Sequence, residues 1–373
     1  MAGLSDRKYI RWDAEGVEVV PPNEREYIDG VVKNINESQR RFHKENNRCY
    51  TGTHARTRGI VQGTLVVSDD LPAHLKQTEL FSQGGIFPIV CRYSSEPGNP
   101  QLDPRGFSMK IFNVRGDMFD AGKDFPTQDI EFNSTPAIEL ADAKTAKEIF
   151  DIRLRHSYDS DKMAPELEAR PDTELQKARD QVPNRHLEST EFYSQAAFRF
   201  GDYVVKYRIV PASEEQKRRG EEVVVEGHTD GVLSEWLRDF YRSHEGSYLF
   251  QVQFLENLEA QPVEYSGTEW DASKYPFQTV ARLQLPRQES WNEERNQFWA
   301  HRMRLDPWHG LTKLRPLGSS NRLRRICEPP PGLPCHCPKL TCKPVYPASS
   351  KFRREANGLT EVNVTSPSEI PGF

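Results

Sequence analysis

A histidine at the start of a predicted strand is the residue in this sequence best placed for acid–base chemistry. His54 opens the pattern at residues 53–70, THARTRGIVQGTLVVSDD, which alternates as a strand does. An imidazole takes up and returns protons near neutral pH, because its unperturbed pKa is about 6.5. Gly59 and Gly63 interrupt the strand, and strand glycines mark a bulge or the close approach of another group, here a flat cofactor. Without further context, such a histidine is more often structural.

Strand patterns recur along the chain, each an alternation rich in aromatic and β-branched residues. They lie at residues 89–94, 103–112, 196–210 (a hairpin), 248–254 and 280–286. Residues 137–156 and 231–242 have the apolar spacing of helices, and a charged, proline-punctuated loop is predicted between them, up to residue 190. The sequence therefore predicts an α+β domain in which an antiparallel sheet closes into a barrel with helices around it.

Four short motifs, in this order, resemble those of the catalase family. They are H-A-R at 54–56, R-Y-S at 92–94, D-P-R-G-F-S-M-K at 103–110 and N-S-T-P at 133–136. Residues 270–286 are similar to a later catalase element, and the similarity runs from about residue 50 to about residue 354. The resemblance implies an antiparallel β-barrel of the catalase-like type with surrounding helices, and haem as the cofactor.

The resemblance also implies roles for individual residues. His54 would lie above the haem iron and carry a proton from one peroxide oxygen to the other, while Asn133 would hydrogen-bond the bound peroxide. Ser94 would hydrogen-bond His54 and fix its tautomer. Arg92 would pair with a haem propionate. Outside this context Asn133 reads as a turn residue, Ser94 as a serine that bonds backbone, and Arg92 as a surface arginine beside Glu96.

The predicted iron ligand is Tyr346, since catalases hold haem iron by tyrosine. Arg353 follows it by seven residues, as in the family, but Cys342 stands four residues before it, where catalases have an arginine. Arg324 is the candidate for that second arginine, because a cation near a phenolate favours its charged form. A further departure is Thr51, where catalases usually carry a propionate-binding arginine.

Residues 327–344, CEPPPGLPCHCPKLTCKP, interrupt the tyrosine motif. The cysteines and histidine of this block could bind a metal, although their spacing is irregular for a zinc site. If the eighteen residues are removed, Arg324 lies four residues before Tyr346, which is the catalase-like spacing. The codons for residues 326–328 can also contain GTGAG, a common intron start. We therefore hypothesise an unspliced intron translated in frame.

Composition narrows the binding partners and cellular locations that the sequence allows. A chain of 373 residues with a formal charge of −5 has no net attraction to nucleic acid or to an anionic membrane. No apolar run reaches the length of a signal peptide or membrane span, and the last three residues are not a peroxisomal signal, so we expect a cytoplasmic protein. Four of the six cysteines lie within 327–344, which argues against a disulfide framework.

We predict an N-terminal arm at 1–48 that packs across the body or a neighbouring subunit, a haem-binding domain at 49–354, a C-terminal tail at 355–373, and a homo-oligomer. The expected activity is that of a haem-dependent oxidoreductase acting on hydrogen peroxide or a small organic hydroperoxide. Two alternatives stay open. One is a relative that rearranges fatty-acid hydroperoxides, and the other is a haem-free, inactive barrel that serves as an interaction module.

Overall fold

A computed structural model describes residues 7–46, 54, 56–96, 104–119, 124–325 and 358–373. The strands are β1 Arg56–Val67, β2 Gly85–Ser95, β3 Arg105–Ile111, β4 Gln128–Asn133, β5 Phe192–Tyr193, β6 Phe198–Phe200, β7 Tyr203–Pro211, β8 Gly246–Phe254 and β9 Phe277–Leu285. The helices are α1 Glu24–Asn46, α2 Ala143–Arg155, α3 Ser160–Glu168, α4 Thr173–Ala178, α5 Glu214–Arg219, α6 Val232–Ser243, α7 Glu293–His301 and α8 Ser319–Arg322.

Eight strands close into an antiparallel barrel. β1 pairs with β2 on one side and β9 on the other, and pairing continues in both directions until β5 meets β7. β6 forms a hairpin with β7 outside this ring, as predicted for residues 196–210. The predicted α+β barrel with surrounding helices is confirmed. Within the described residues, no helix is long and apolar enough to cross a membrane.

Alternation along the strands decides which side chains enter the barrel. Tyr93 of β2 and Phe107 of β3 belong to the buried interior cluster, so their neighbours Ser94 and Gly106 lie on the outer face. The motif residues predicted to do chemistry are therefore placed outside the barrel. The buried apolar cluster inside the barrel packs on the opposite face of the same strands.

The two strand glycines of β1 serve different purposes. The register shifts between Thr57 and Gly59, so Gly59 follows a bulge, one of the two predicted meanings. A Cβ atom at Gly63 would lie 2.2 Å from the Gln284 carbonyl oxygen of β9. The close approach at Gly63 therefore comes from a neighbouring strand, and the flat cofactor expected there is a wrong prediction. Strand pairing, which the local sequence does not display, decides this contact.

The N-terminal residues pack across the same chain. Ile10 donates its backbone N–H to the Leu255 carbonyl at 2.8 Å. The predicted short helix in this region is the 23-residue helix α1, whose Val31 and Ile35 pack against α2. Of the two positions predicted for the arm, the described residues occupy the one on the body.

Two other segments differ from their predictions. The predicted charged loop before residue 190 contains α3 and α4, and the Asp159 side chain caps α3 by accepting from the Lys162 N–H at 3.2 Å. Residues 358–373, predicted as a tail, pack on the barrel exterior, where Val364 and Ile370 join a buried apolar cluster. Apolar burial by distant partners, invisible in the local pattern, holds this end of the chain.

A buried ion pair on the outer face gives a stability prediction. The Lys110 ammonium lies 2.5 Å from Asp129, both are buried, and Asp129 also accepts the Asp306 backbone N–H at 2.9 Å. Lys110→Met should lower the free energy of unfolding by about 3–5 kcal/mol, because the Asp129 charge would stay buried and unpaired. Urea unfolding measures this. The double variant Lys110→Met with Asp129→Asn should lose less free energy of unfolding than Lys110→Met alone. Equal losses in the two variants would contradict this explanation.

Candidate active site

The backbone of His54 is fixed from both sides just before β1. Its N–H donates to the Glu96 carboxylate at 2.8 Å, and its carbonyl accepts from the Arg92 guanidinium at 2.8 Å. Arg92 also donates to the Thr57 hydroxyl at 2.8 Å. His54 has a φ of +47°, a left-handed conformation that costs a non-glycine residue on the order of 1 kcal/mol or more. The surrounding hydrogen bonds hold the residue in this conformation.

The His54 ring lies against Gly106 of β3. A Cβ atom at Gly106 would come within 2.6 Å of the His54 Nδ1 and 2.8 Å of the Ser94 hydroxyl. Only glycine leaves room for the ring at this position. The predicted hydrogen bond between Ser94 and His54 is not formed, since the Ser94 hydroxyl donates to the Gly106 carbonyl at 3.3 Å. The His54 Nδ1 is buried, and no hydrogen-bond partner for it lies among the described residues.

Strand register brings the predicted residues into one row. Ser94, Gly106 and Asn133 lie directly opposite one another on β2, β3 and β4, so they share the outer face. The structure therefore gathers His54, Ser94 and Asn133, which the sequence predicts as the catalytic residues. About 80 residues separate His54 from Asn133 along the chain, and strand pairing in the barrel is what brings them together.

Burial lowers the pKa of His54 below its ordinary value. Burial is the largest cause, and the positive charges of Arg92 and Arg179 act in the same direction. Glu96 and the neighbouring Asn133 side chain act against them by raising this pKa. The ring is consequently neutral at pH 7. A neutral imidazole can accept a proton, which is the first requirement for a general base.

A partly buried charge cluster near His54 was not predicted from the sequence. Glu139 accepts from Arg179 at 3.0 Å and from Arg153 at 3.2 Å. Burial by itself would raise the pKa of Glu139, but the two guanidinium groups outweigh it and the pKa is lowered. Gly106 and Gln195 were also missed. For Gly106, its position inside the D-P-R-G-F strand was an available signal.

The residues predicted to hold the iron are placed only in part. Arg324 is described, and it forms an ion pair with Glu131, which lies two residues before Asn133 on β4 and so on the same outer face. Tyr346, Arg353 and the block 327–344 lie outside the described residues. Within the described part of the chain, no three His, Cys, Asp or Glu side chains form a group that could hold a metal ion.

Comparison with solved structures finds catalases. A fungal catalase is 14% identical with a TM-score of 0.55, and the alignment covers 98% of this chain and 72% of that one. A bacterial catalase is 16% identical with a TM-score of 0.53, covering 86% and 62%. Catalase A from Saccharomyces cerevisiae is 14% identical with a TM-score of 0.54, covering 94% and 68%.

These similarities establish that the chain has a catalase-like fold. It spans only part of the length of each of these catalases, less than two thirds in the bacterial case. No protein-family model matches the sequence, and no curated protein matches it. The comparisons therefore show that this chain shares the barrel fold of catalases.

Proposed function

We propose that this chain is a haem-dependent oxidoreductase that decomposes hydrogen peroxide or a small organic hydroperoxide. One observation carries the proposal. A partly buried histidine with a neutral ring lies over a glycine and beside Asn133 on the outer face of a catalase-like barrel. A proton acceptor held this rigidly, with a depressed pKa, suits a reaction in which a proton must leave a substrate oxygen at neutral pH.

The described residues fit a flat cofactor beside this histidine. Gly106 leaves room for the His54 ring on the outer face, and the His54 Nδ1 has no hydrogen-bond partner among the described residues. In this proposal Tyr346 ligates the haem iron, Arg324 and Arg353 favour its phenolate, and Arg92 pairs with a propionate. Haem, when bound, supplies the redox chemistry that breaks the O–O bond.

The protein residues then manage the proton. His54 takes a proton from one peroxide oxygen and returns it to the other, which turns a poor leaving group into a good one. Asn133 orients the substrate and the imidazole. Ser94 keeps its own hydroxyl proton on the Gly106 carbonyl beside the ring. Each of these steps is performed by a side chain that the barrel has already fixed.

The direct test uses the full-length chain with haem added. We expect an absorbance band of bound haem and release of oxygen from hydrogen peroxide. Parallel assays with a small organic hydroperoxide and a fatty-acid hydroperoxide separate the proposed activity from the rearranging alternative. A folded chain that takes up no haem would refute the proposal. It would favour the alternative of a haem-free barrel that serves as an interaction module.

Arg92 gives a prediction about cofactor binding. Arg92→Leu should weaken haem binding by about tenfold or more, because a hydrogen bond to a charged group contributes about 1.5–3 kcal/mol. Arg199→Leu is the matched control, since Arg199 is similarly half-buried and packs on Trp12. Haem titration followed by absorbance measures both. Equal affinity of the two variants would show that Arg92 acts only on the His54 backbone.

We also propose a cytoplasmic homo-oligomer, in keeping with the catalase-like fold. Light scattering on the purified chain would give its mass in solution, and a monomer would refute the oligomeric part.

A further inference from the structure

Gln195 links Asn133 to the loop that follows it. The residue is 3% exposed and stands between β5 and β6. Its side-chain NH₂ donates to the Thr135 hydroxyl at 2.7 Å and to the Ala137 carbonyl at 2.9 Å. Its side-chain oxygen accepts from the Asn133 Nδ2 at 2.8 Å. All three contacts join groups about 60 residues apart in sequence, which the barrel brings together.

These contacts fix which end of each amide faces which neighbour. The Ala137 carbonyl can only accept, and the Thr135 hydroxyl already donates to that carbonyl at 2.9 Å. Both therefore require the NH₂ end of Gln195, so its oxygen must face Asn133. Asn133 must in turn present its own NH₂ to Gln195, because the reverse orientation would place oxygen against oxygen.

The orientation of Asn133 decides what His54 meets. With Nδ2 directed at Gln195, the Asn133 oxygen is left to face the His54 ring, which lies over Gly106 directly opposite Asn133. The Asn133 side chain raises the pKa of His54. An amide oxygen directed at the ring has this effect, since it favours the protonated form of the imidazole.

The backbone also marks Gln195 as constrained. Gln195 has a φ of +60° and His54 a φ of +47°, and they are two of five non-glycine residues with left-handed backbone in the described part of the chain. Each residue with this backbone conformation destabilises the fold by on the order of 1 kcal/mol or more, and such residues concentrate at functional sites. The strain at Gln195 is balanced by the three hydrogen bonds of its side chain.

We propose that Gln195 is a positioning residue that selects the tautomer of His54 by orienting the amide of Asn133. The ring nitrogen that meets the Asn133 oxygen keeps its proton, and the other nitrogen carries the lone pair that can accept one. Without Gln195, the Asn133 amide is free to turn and offer its NH₂ to the ring, which selects the opposite tautomer. The role of Gln195 in selecting the tautomer does not depend on the proposed function. Only the transfer of a peroxide proton to the unprotonated nitrogen of His54 rests on it.

Nitrogen NMR of the histidine rings tests this in the full-length chain labelled with ¹⁵N-histidine. The His54 signals are those missing from the His54→Asn variant. We expect a single tautomer in the original chain and a mixture, or the other tautomer, in Gln195→Leu. Peroxide turnover of the haem-loaded variant should fall by roughly 10-fold to 100-fold, the usual loss when a residue that orients a functional group is removed.

Gln253→Leu is the matched control. Gln253 is also buried, and its NH₂ donates to the carbonyls of Trp270 and Tyr275 at 2.9 and 2.8 Å, on β8. It should lose stability comparably but leave the His54 ring signals unchanged. If Gln195→Leu does not fold, Thr135→Val removes one acceptor of the Gln195 NH₂ and should shift the tautomer ratio in the same direction.

Unchanged His54 ring signals in a folded Gln195→Leu or Thr135→Val chain would overturn the inference. The NMR measurement needs neither peroxide nor haem. A tautomer change in a chain that turns over no peroxide would therefore support the role of Gln195 and refute the proposed function separately.

Discussion

Replacing His54 with asparagine should reduce peroxide turnover by about 10²–10⁴-fold while leaving haem uptake nearly unchanged, since a general acid–base group of this kind contributes that much. Asparagine is the appropriate replacement because it tolerates the left-handed backbone at this position. His54 contacts the substrate in the proposed site and does not ligate the iron, so affinity for haem should survive. Haem titration and oxygen release, measured on the same samples, separate the two effects.

The pH profile gives an independent check on the same residue. Burial lowers the pKa of His54, so the neutral, proton-accepting form persists below pH 6.5. Turnover of the original chain should fall only when the pH drops through this lowered pKa, and the residual turnover of His54→Asn should lack that fall. His244→Asn, at a partly exposed histidine after α6, is the control. Turnover at the original rate in His54→Asn would rule out the catalytic role.

Deleting residues 327–344 should increase haem occupancy and peroxide turnover together. The deletion joins residues 326 and 345 and brings Arg324 to four residues before Tyr346. A guanidinium near the phenolate favours its charged, iron-binding form. In the structure Arg324 is paired with Glu131, so the shorter connection should also draw it away from that partner. Haem absorbance and oxygen release of the two chains, purified side by side, provide the measurement.

Two controls sharpen this experiment. A chain in which the block is replaced by eighteen glycine and serine residues keeps the spacing and removes the sequence, so it should behave like the longer chain. Tyr346→Phe in the shortened chain should lose the haem band, because the ligand oxygen is gone. The transcript across this point tests the intron itself. A transcript that retains the block, together with haem bound only when the block is present, would overturn the hypothesis.

The sequence predicted most of the barrel because strand periodicity is local. Alternation of apolar and polar residues identified the strands that became β1, β2, β3, β8 and β9 and the hairpin of β6 and β7. α3 and α4 were missed because short, charged helices bury little and leave a weak pattern.

The amino-acid sequence by itself determined which residues could do chemistry. Its motifs predicted roles for His54 and Asn133, and its glycine pattern indicated the bulge before Gly59. The Ser94 hydrogen bond was predicted wrongly, because choosing between His54 and the Gly106 carbonyl as its acceptor requires atomic positions.

The tertiary structure alone decided how those residues are arranged. Pairing of β4 with β5 carries Gln195 to Asn133 across 62 residues, and packing around the site carries Arg179 to Glu139 across 40. Strand register sets Gly106 beneath the His54 ring, and burial there lowers the pKa of that ring. Such contacts join groups far apart along the chain, and no local pattern of residues encodes which distant partner a folded surface will supply.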